Sequence, residues 1–341
     1  MPAPQTYRRI ATEETFAVPE QIKAIRALAD AGASDLDLVL WRSIIGDTPY
    51  GARMLPDLLD LDDKRIRVMD ENGVAMQVLA LTSPGVQMFD PDTAVGIAAT
   101  ANDQLAAAIA RHPGRYAGLA AVAPQAPAAA VKELDRAVNK LGLRGVIINS
   151  HTGGQYLDEP QFWPILEAAE ALDLPIYIHP RSPSPAMAAP YSQHWLDGAL
   201  WGFQAETGLH GMRLIMSGVF DRFPKLKIIL GHMGEGIPFW LWRIDYMYGT
   251  RKARSGGGPA MKPSEYFKRN FTITTSGVNS PATLRYCHEV LGPQNVMWAV
   301  DYPYQDDTPY AVEFMDQVAI PEADRHAIYH GNAERLFKLA P

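Results

Sequence analysis

A single cysteine, Cys287, stands in a chain of 341 residues. That count excludes an internal disulfide and any cysteine-built zinc module, and it fits a reducing compartment; the residue itself reads as a small buried hydrophobe. Basic runs are missing too. The 31 Lys and Arg are outnumbered by 38 Asp and Glu, giving a net charge of -7, which argues against nucleic acid or an anionic membrane as the partner. No apolar stretch is long enough to cross a bilayer, and residues 1–9 lack the apolar segment of a secretory signal, so the cytoplasm is the expected location. The glycine-rich run Gly231 to Gly236 has no following Lys-Ser/Thr, and no Gly-x-Gly-x-x-Gly follows the first apolar run, so nucleotide binding is not expected. A small molecule is left as the partner.

What is present is a regular alternation. With 47% hydrophobic residues the chain has ample material for a core. Short apolar runs recur at 9–12, 76–81, 118–122, 145–149, 175–179, 227–230, 271–275 and 296–301. They read as about eight strands. Between them lie segments of helical periodicity at 94–112, 129–141, 161–172 and 281–291, most of them followed by Gly or Pro. Eight alternating units predict an α/β fold, a (β/α)8 TIM-like barrel occupying 1–341 as one domain. The rival, a doubly wound open sheet, gathers its functional residues at one switch point, whereas here they close many strands. Residues 21–59 and 180–193 are too long for simple connections and are expected to wall or cover the catalytic face.

Four polar residues follow apolar runs: Glu13 after the first, His179 at the fifth, His232 after the sixth, and Asp301 at the eighth. In a barrel these ends share one mouth. Carboxylates and imidazoles converging from different strands suit a divalent cation, and as buried charges they are costly unless paired or metal-bound.

The order Glu13, His179-Pro180, Gly231-His232-Met233-Gly234-Glu235, Arg243 and Asp301-Tyr302-Pro303 resembles the amidohydrolase-superfamily decarboxylases of aromatic acids, over essentially the whole chain. Within that group the stretches 9–14, 81–85, 149–152 and 301–304 are most similar to 5-carboxyvanillate decarboxylases; γ-resorcylate and dihydroxybenzoate decarboxylases share the core pattern. The resemblance implies an amidohydrolase-type barrel, one Mn²⁺ or Zn²⁺ held by Glu13, His179 and Asp301, no organic cofactor, and non-oxidative loss of CO₂ from an ortho-hydroxy or alkoxy benzoate. Thr15 stands where many relatives carry a further His ligand, so three protein ligands are expected. Binuclear hydrolases of the superfamily use His-x-His after the first strand, which this chain lacks.

By the same resemblance Asp301 is the proton donor, His232 and Glu235 are a hydrogen-bonded pair beside it, and Arg243 recognises an anionic substituent. Thr82, Ser83, His151 and Tyr304 are expected in the substrate wall. A substrate-holding arginine of carboxyvanillate decarboxylases falls on Tyr50, with Arg53 three residues on as its substitute. A homo-oligomer, dimer or tetramer, is expected, with 21–59 as the contact arm. The alternative activity is mononuclear metal hydrolysis of a lactone or amide.

Overall fold

Residues 7–305 and 307–340 are described in a computed structural model of the chain. The apolar runs form nine parallel strands: β1 (Ile10–Phe16), β2 (Met76–Leu81), β3 (Tyr116–Gly118), β4 (Ala120–Ala121), β5 (Val146–Asn149), β6 (Pro175–His179), β7 (Lys227–Leu230), β8 (Phe271–Thr274) and β9 (Val296–Met297). They pair in sequence order, β1-β2-β3 in one sheet and β4 through β9 in the other. At the first seam Leu119 N bonds Leu79 O at 2.9 Å while Ala120 N bonds Gly145 O at 2.8 Å, so β3 and β4 are one segment that changes neighbours across Leu119. At the second, Thr12 N donates to Trp298 O at 3.1 Å and Thr15 N to Tyr302 O at 2.9 Å, tying β1 to the chain after β9. The strands therefore follow one another round a barrel, with none of the order reversal that a doubly wound sheet requires.

Val146, Ile147 and Ile148 of β5 and Ile228, Ile229 and Leu230 of β7 are all buried. Strands covered on both faces read as unbroken β-branched runs, and each such side chain contributes roughly 1.5–3 kcal/mol when fully buried. The helices outside the barrel start where sequence chemistry starts them. Thr48, Asp90 and Ser280 each accept a backbone N–H of the first turn, and each is followed by Pro at the first helical position. Among the described residues no helix is long and apolar enough to cross a membrane.

Two expectations need correction. The first strand does not end before Glu13; it runs on to Phe16, because a bulge between Ala11 and Glu14 keeps Glu13 inside it. Asp301 does not close a strand, since β9 ends at Met297 and the following backbone is held by side chains and distant carbonyls instead. The excursion at 21–59 is mostly helical, as Pro19–Asp30, Leu38–Ile45 and Pro49–Leu59.

Those helices are pinned over the barrel mouth. Gln21 Nε2 donates to Thr82 O at 3.1 Å and Trp41 Nε1 to Ser83 O at 3.0 Å. Arg181, two residues beyond β6, is buried and donates through Nε to Asp37 Oδ2 at 2.8 Å and through Nη1 to His151 O at 3.0 Å. Asp37 Oδ1 also accepts Ser182 N at 2.9 Å. One buried guanidinium thus joins the helical excursion to the loops after β5 and β6, and its burial is tolerable because paired charge and carbonyls surround it.

Candidate metal centre and active site

Strand geometry brings Glu13, His179 and Asp301 together: one potential ligand atom from each lies within 4.8 Å of the others, and all three residues are buried. Glu13 Oε2 is fully engaged. It accepts from Thr274 Oγ1 at 2.8 Å and from the hydroxyls of Tyr177 and Ser276. Glu13 Oε1 has no hydrogen-bond partner, and neither has His179 Nε2, which stands 3.6 Å from it. His179 Nδ1 is 2.8 Å from Pro180 O, which can only accept, so Nδ1 carries the hydrogen and Nε2 turns a lone pair toward the carboxylate. Two orphaned acceptors facing one point, beside the second carboxylate of Asp301, fit a divalent cation.

Gly231 makes room for this. A Cβ there would sit 2.7 Å from both Glu13 carboxylate oxygens. Beyond it the strand does not pass straight into a helix. His232, Met233, Gly234, Glu235 and Gly236 all have positive φ, from 47° to 78°, and form a left-handed turn before the helix Ile237–Ser255. The turn folds Glu235 back under His232, whose Nδ1 lies 2.9 Å from Glu235 Oε1. His232 Nε2 is 3.9 Å from both Glu13 Oε1 and Asp301 Oδ2.

Burial alone would push the His232 imidazole down, but the carboxylates of Glu235, Glu13 and Asp301 outweigh it and hold its pKa well above the ordinary value. Asp301 is raised, chiefly by burial and by the charge of Glu13, against the pull of His232. Glu13 is lowered: burial opposes ionisation, yet His232, His179 and the hydroxyls of Ser276 and Tyr177 prevail.

A cavity of about 530 Å³ opens over these groups, within the range of small-molecule sites. His179, His232, Asp301, Tyr304, Ser83 and Tyr50 line it, so these expected site residues share one space. Thr82 sits behind the wall, 2.8 Å from the Tyr304 hydroxyl, and fixes that ring. Three further expected site residues lie outside this lining. His151 lines a separate cavity of about 490 Å³, because Ser150 takes a left-handed conformation (φ 38°) and turns the chain away; its Nε2 is 3.2 Å from Ser182 O and burial pushes its pKa down to about 3. Arg243 is exposed on the helix Ile237–Ser255 and lines a third cavity, between that helix and the helix Gly202–Met216. Arg53 is outside the lining and stands over the Tyr50 ring, its Cζ 5.5 Å from the centroid.

Residues not foreseen hold the centre in place. Tyr177 shares a strand face with His179, two positions away, which the period of a strand makes legible in retrospect. Thr274 and Ser276 repeat that spacing at the end of β8. Glu14, fully buried, accepts Val300 N at 3.0 Å and Tyr302 N at 2.9 Å. Burial pushes Glu14 up to about 8 against those two bonds; with both oxygens facing N–H donors an added proton would find no acceptor, so the ionised form fits the geometry.

The amidohydrolase family model matches residues 35–339. The chain belongs to the amidohydrolase family. Among solved structures this amidohydrolase is similar to 5-carboxyvanillate decarboxylase from Sphingomonas paucimobilis, with 49% identity and a TM-score of 0.94 over 98% of this chain and 100% of that one. It is similar as well to 5-carboxyvanillate decarboxylase from Novosphingobium aromaticivorans, solved with manganese and 4-hydroxy-3-methoxy-5-nitrobenzoic acid, at 40% identity and a TM-score of 0.95 over 98% of this chain and 97% of that one. A γ-resorcylate decarboxylase from Polaromonas sp. is 41% identical over 290 residues, covering 83% of this chain and 89% of the relative.

Proposed function

We propose that this amidohydrolase is a carboxy-lyase that releases CO₂, without oxidation, from a benzoate bearing an ortho hydroxyl or alkoxyl group. The observation that carries the reading is the cluster of Glu13, His179 and Asp301 at the floor of an aromatic-sized cavity, with two orphaned acceptors aimed at one point. Those three residues would hold one divalent cation. Two carboxylates and one imidazole favour manganese over zinc, and a structural neighbour holds manganese. When bound, the cation supplies positive charge that anchors the substrate carboxylate and its ortho oxygen.

Asp301, whose pKa burial raises, delivers its proton to the carboxylate-bearing ring carbon. The electrons of the carbon–carboxylate bond then return to the ring and CO₂ leaves, so no aryl carbanion forms. His232, fixed by Glu235, orients Asp301 and returns a proton to it. Tyr304, Ser83 and Tyr50 shape the wall against the ring. The same centre would also suit hydrolysis of a lactone or amide with Asp301 as base, but the carboxy-lyase names of relatives along nearly the whole chain favour decarboxylation.

The lining also selects. No Lys or Arg is among the described residues that line the cavity, while Asp197 lies at its edge beside Trp195 and Leu200. A second carboxylate on the ring would meet like charge, so substrates with one carboxylate, of the dihydroxybenzoate type, are preferred. Assembly as a homo-oligomer belongs to the proposal too, supported by exposed Phe239, Trp242 and Tyr246 on one helix. So does a cytoplasmic location, supported by the single buried thiol.

The test compares 2-hydroxy-3-methoxybenzoate with its analogue carrying a second carboxylate para to the hydroxyl, using protein loaded with Mn²⁺. CO₂ release, abolished by chelation and faster for the monoacid by at least about tenfold in kcat/KM, is expected. Absence of CO₂ from both would remove the lyase reading. Equal turnover of both would remove only the substrate preference.

A further inference from the structure

Asp301 has to present its carboxyl to the metal point and to the substrate from backbone that no strand holds. It lies four residues past β9 in a left-handed conformation with φ 76°, which an L side chain rarely adopts unless its surroundings enforce it. We infer that Glu14, the residue beside the metal ligand Glu13, is the positioning residue that sets Asp301 in its working orientation.

Glu14 grips the two peptide N–H groups that flank Asp301, those of Val300 and Tyr302, at 3.0 and 2.9 Å, one with each carboxylate oxygen. A carboxylate accepting two N–H groups makes charge-assisted bonds, the stronger kind, and full burial of Glu14 keeps bulk solvent from competing for them. Both groups are taken from the chain immediately before and after the left-handed residue, so the grip fixes the direction of the Cα–Cβ bond of Asp301 rather than one neighbouring carbonyl. The β1 bulge is what allows consecutive residues to serve both tasks. Residues 11 to 14 of β1 advance three positions while Gln77 to Leu79 of β2 advance two, and the extra residue lets Glu13 reach the mouth while Glu14 faces the chain after β9.

The grip is itself backed. Arg65 is fully buried, donates to Thr15 O at 2.7 Å and to Asp60 O at 2.9 Å, and places its guanidinium 4.8 Å from the centroid of the Tyr302 ring. It thereby holds the residue after Glu14 and the residue after Asp301 against one rigid cation. Thr15 N completes the frame by donating to Tyr302 O at 2.9 Å.

The inference rests on Asp301 being a metal ligand and the acid of the proposed reaction, and the test separates the two. Glu14→Gln preserves size and one acceptor, but its amide NH₂ must face either the Val300 or the Tyr302 N–H. Mn²⁺ affinity, followed by electron paramagnetic resonance, is expected to weaken about tenfold, and kcat with 2,6-dihydroxybenzoate to fall at least about tenfold in the fully Mn²⁺-loaded variant, with KM changed by less than about threefold. Glu14→Asp retains both oxygens on a shorter arm and is expected to fall between Gln and wild type in both measurements, which a purely packing role would not order in that way. If Glu14→Gln does not fold, Glu14→Asp decides by the same readouts. Mn²⁺ affinity and kcat in a folded variant equal to those of wild type would overturn the role of Glu14 while leaving the lyase reading intact. A wild-type protein that neither binds Mn²⁺ nor releases CO₂ would overturn both.

Discussion

His179 and Glu13 confront each other with two electron pairs and no hydrogen between them, Nε2 to Oε1 at 3.6 Å. The tautomer is fixed from behind by Pro180 O, so the imidazole cannot turn a donor toward the carboxylate without losing that bond. With Nε2 unprotonated such a contact is repulsive in a buried site, and a cation between the two groups makes it favourable.

Purified protein is therefore expected to bind about one Mn²⁺ per chain, and metal removal should lower the thermal midpoint. Ligand present at about 100 times its dissociation constant stabilises the folded state by about 2.7 kcal/mol. Glu13→Gln and His179→Ala should each weaken Mn²⁺ at least about tenfold by calorimetric titration. Variants that titrate like wild type would show that the cluster is not a metal site.

Gly231→Ala tests the same centre by steric means. The added methyl would stand 2.7 Å from both oxygens of Glu13, while the φ of -69° at this position suits alanine. The backbone should tolerate the change and Glu13 should not. Loss of Mn²⁺ affinity by about tenfold or more, with far-ultraviolet circular dichroism unchanged, is expected; undisturbed affinity would mean that Glu13 is not confined as described.

His210 gives a pH signature of the fold. Burial pushes its pKa down to about 3, helped by the nearby charge of Arg213, and its Nε2 accepts Leu157 N at 3.1 Å. Unfolded, it titrates near 6.5. Below that pH the unfolded chain binds a proton that the folded chain does not, so this residue's contribution is whole above about 6.5 and is lost as pH falls toward 3. Between pH 6 and 4 wild type should lose up to about 1.4 kcal/mol per pH unit more than His210→Gln. Urea midpoints at several pH values measure it, and parallel curves would show that His210 protonates freely when folded.

Much of this centre was legible from the chain. Glu13, His179, His232 and Asp301 each follow an apolar run, and parallel strands deliver such residues to one mouth whatever their exact ends. Asp301 reads as the end of the eighth strand, but β9 stops at Met297 and the residue reaches the centre from backbone beyond it. Glu14 was hidden, since its partners are backbone N–H groups nearly the length of the chain away and side-chain pattern carries no trace of them. Local backbone conformation also escaped. Ser150 sends His151 into another cavity, and the left-handed turn at 232–236 precedes a helix that carries Arg243 to a different cavity, so residues close in sequence to the site lie apart from it.

The most direct test concerns the proton. Wild type and Asp301→Asn, both carrying a full complement of Mn²⁺, are mixed with 2,6-dihydroxybenzoate in D₂O, and CO₂ and the deuterium content of the resorcinol are followed. Wild type is expected to release CO₂ and place one deuterium on the vacated ring carbon, with the Asn variant slower by at least about 10²-fold. An Asn variant that is fully loaded and turns over at the wild-type rate would contradict Asp301 as the proton donor.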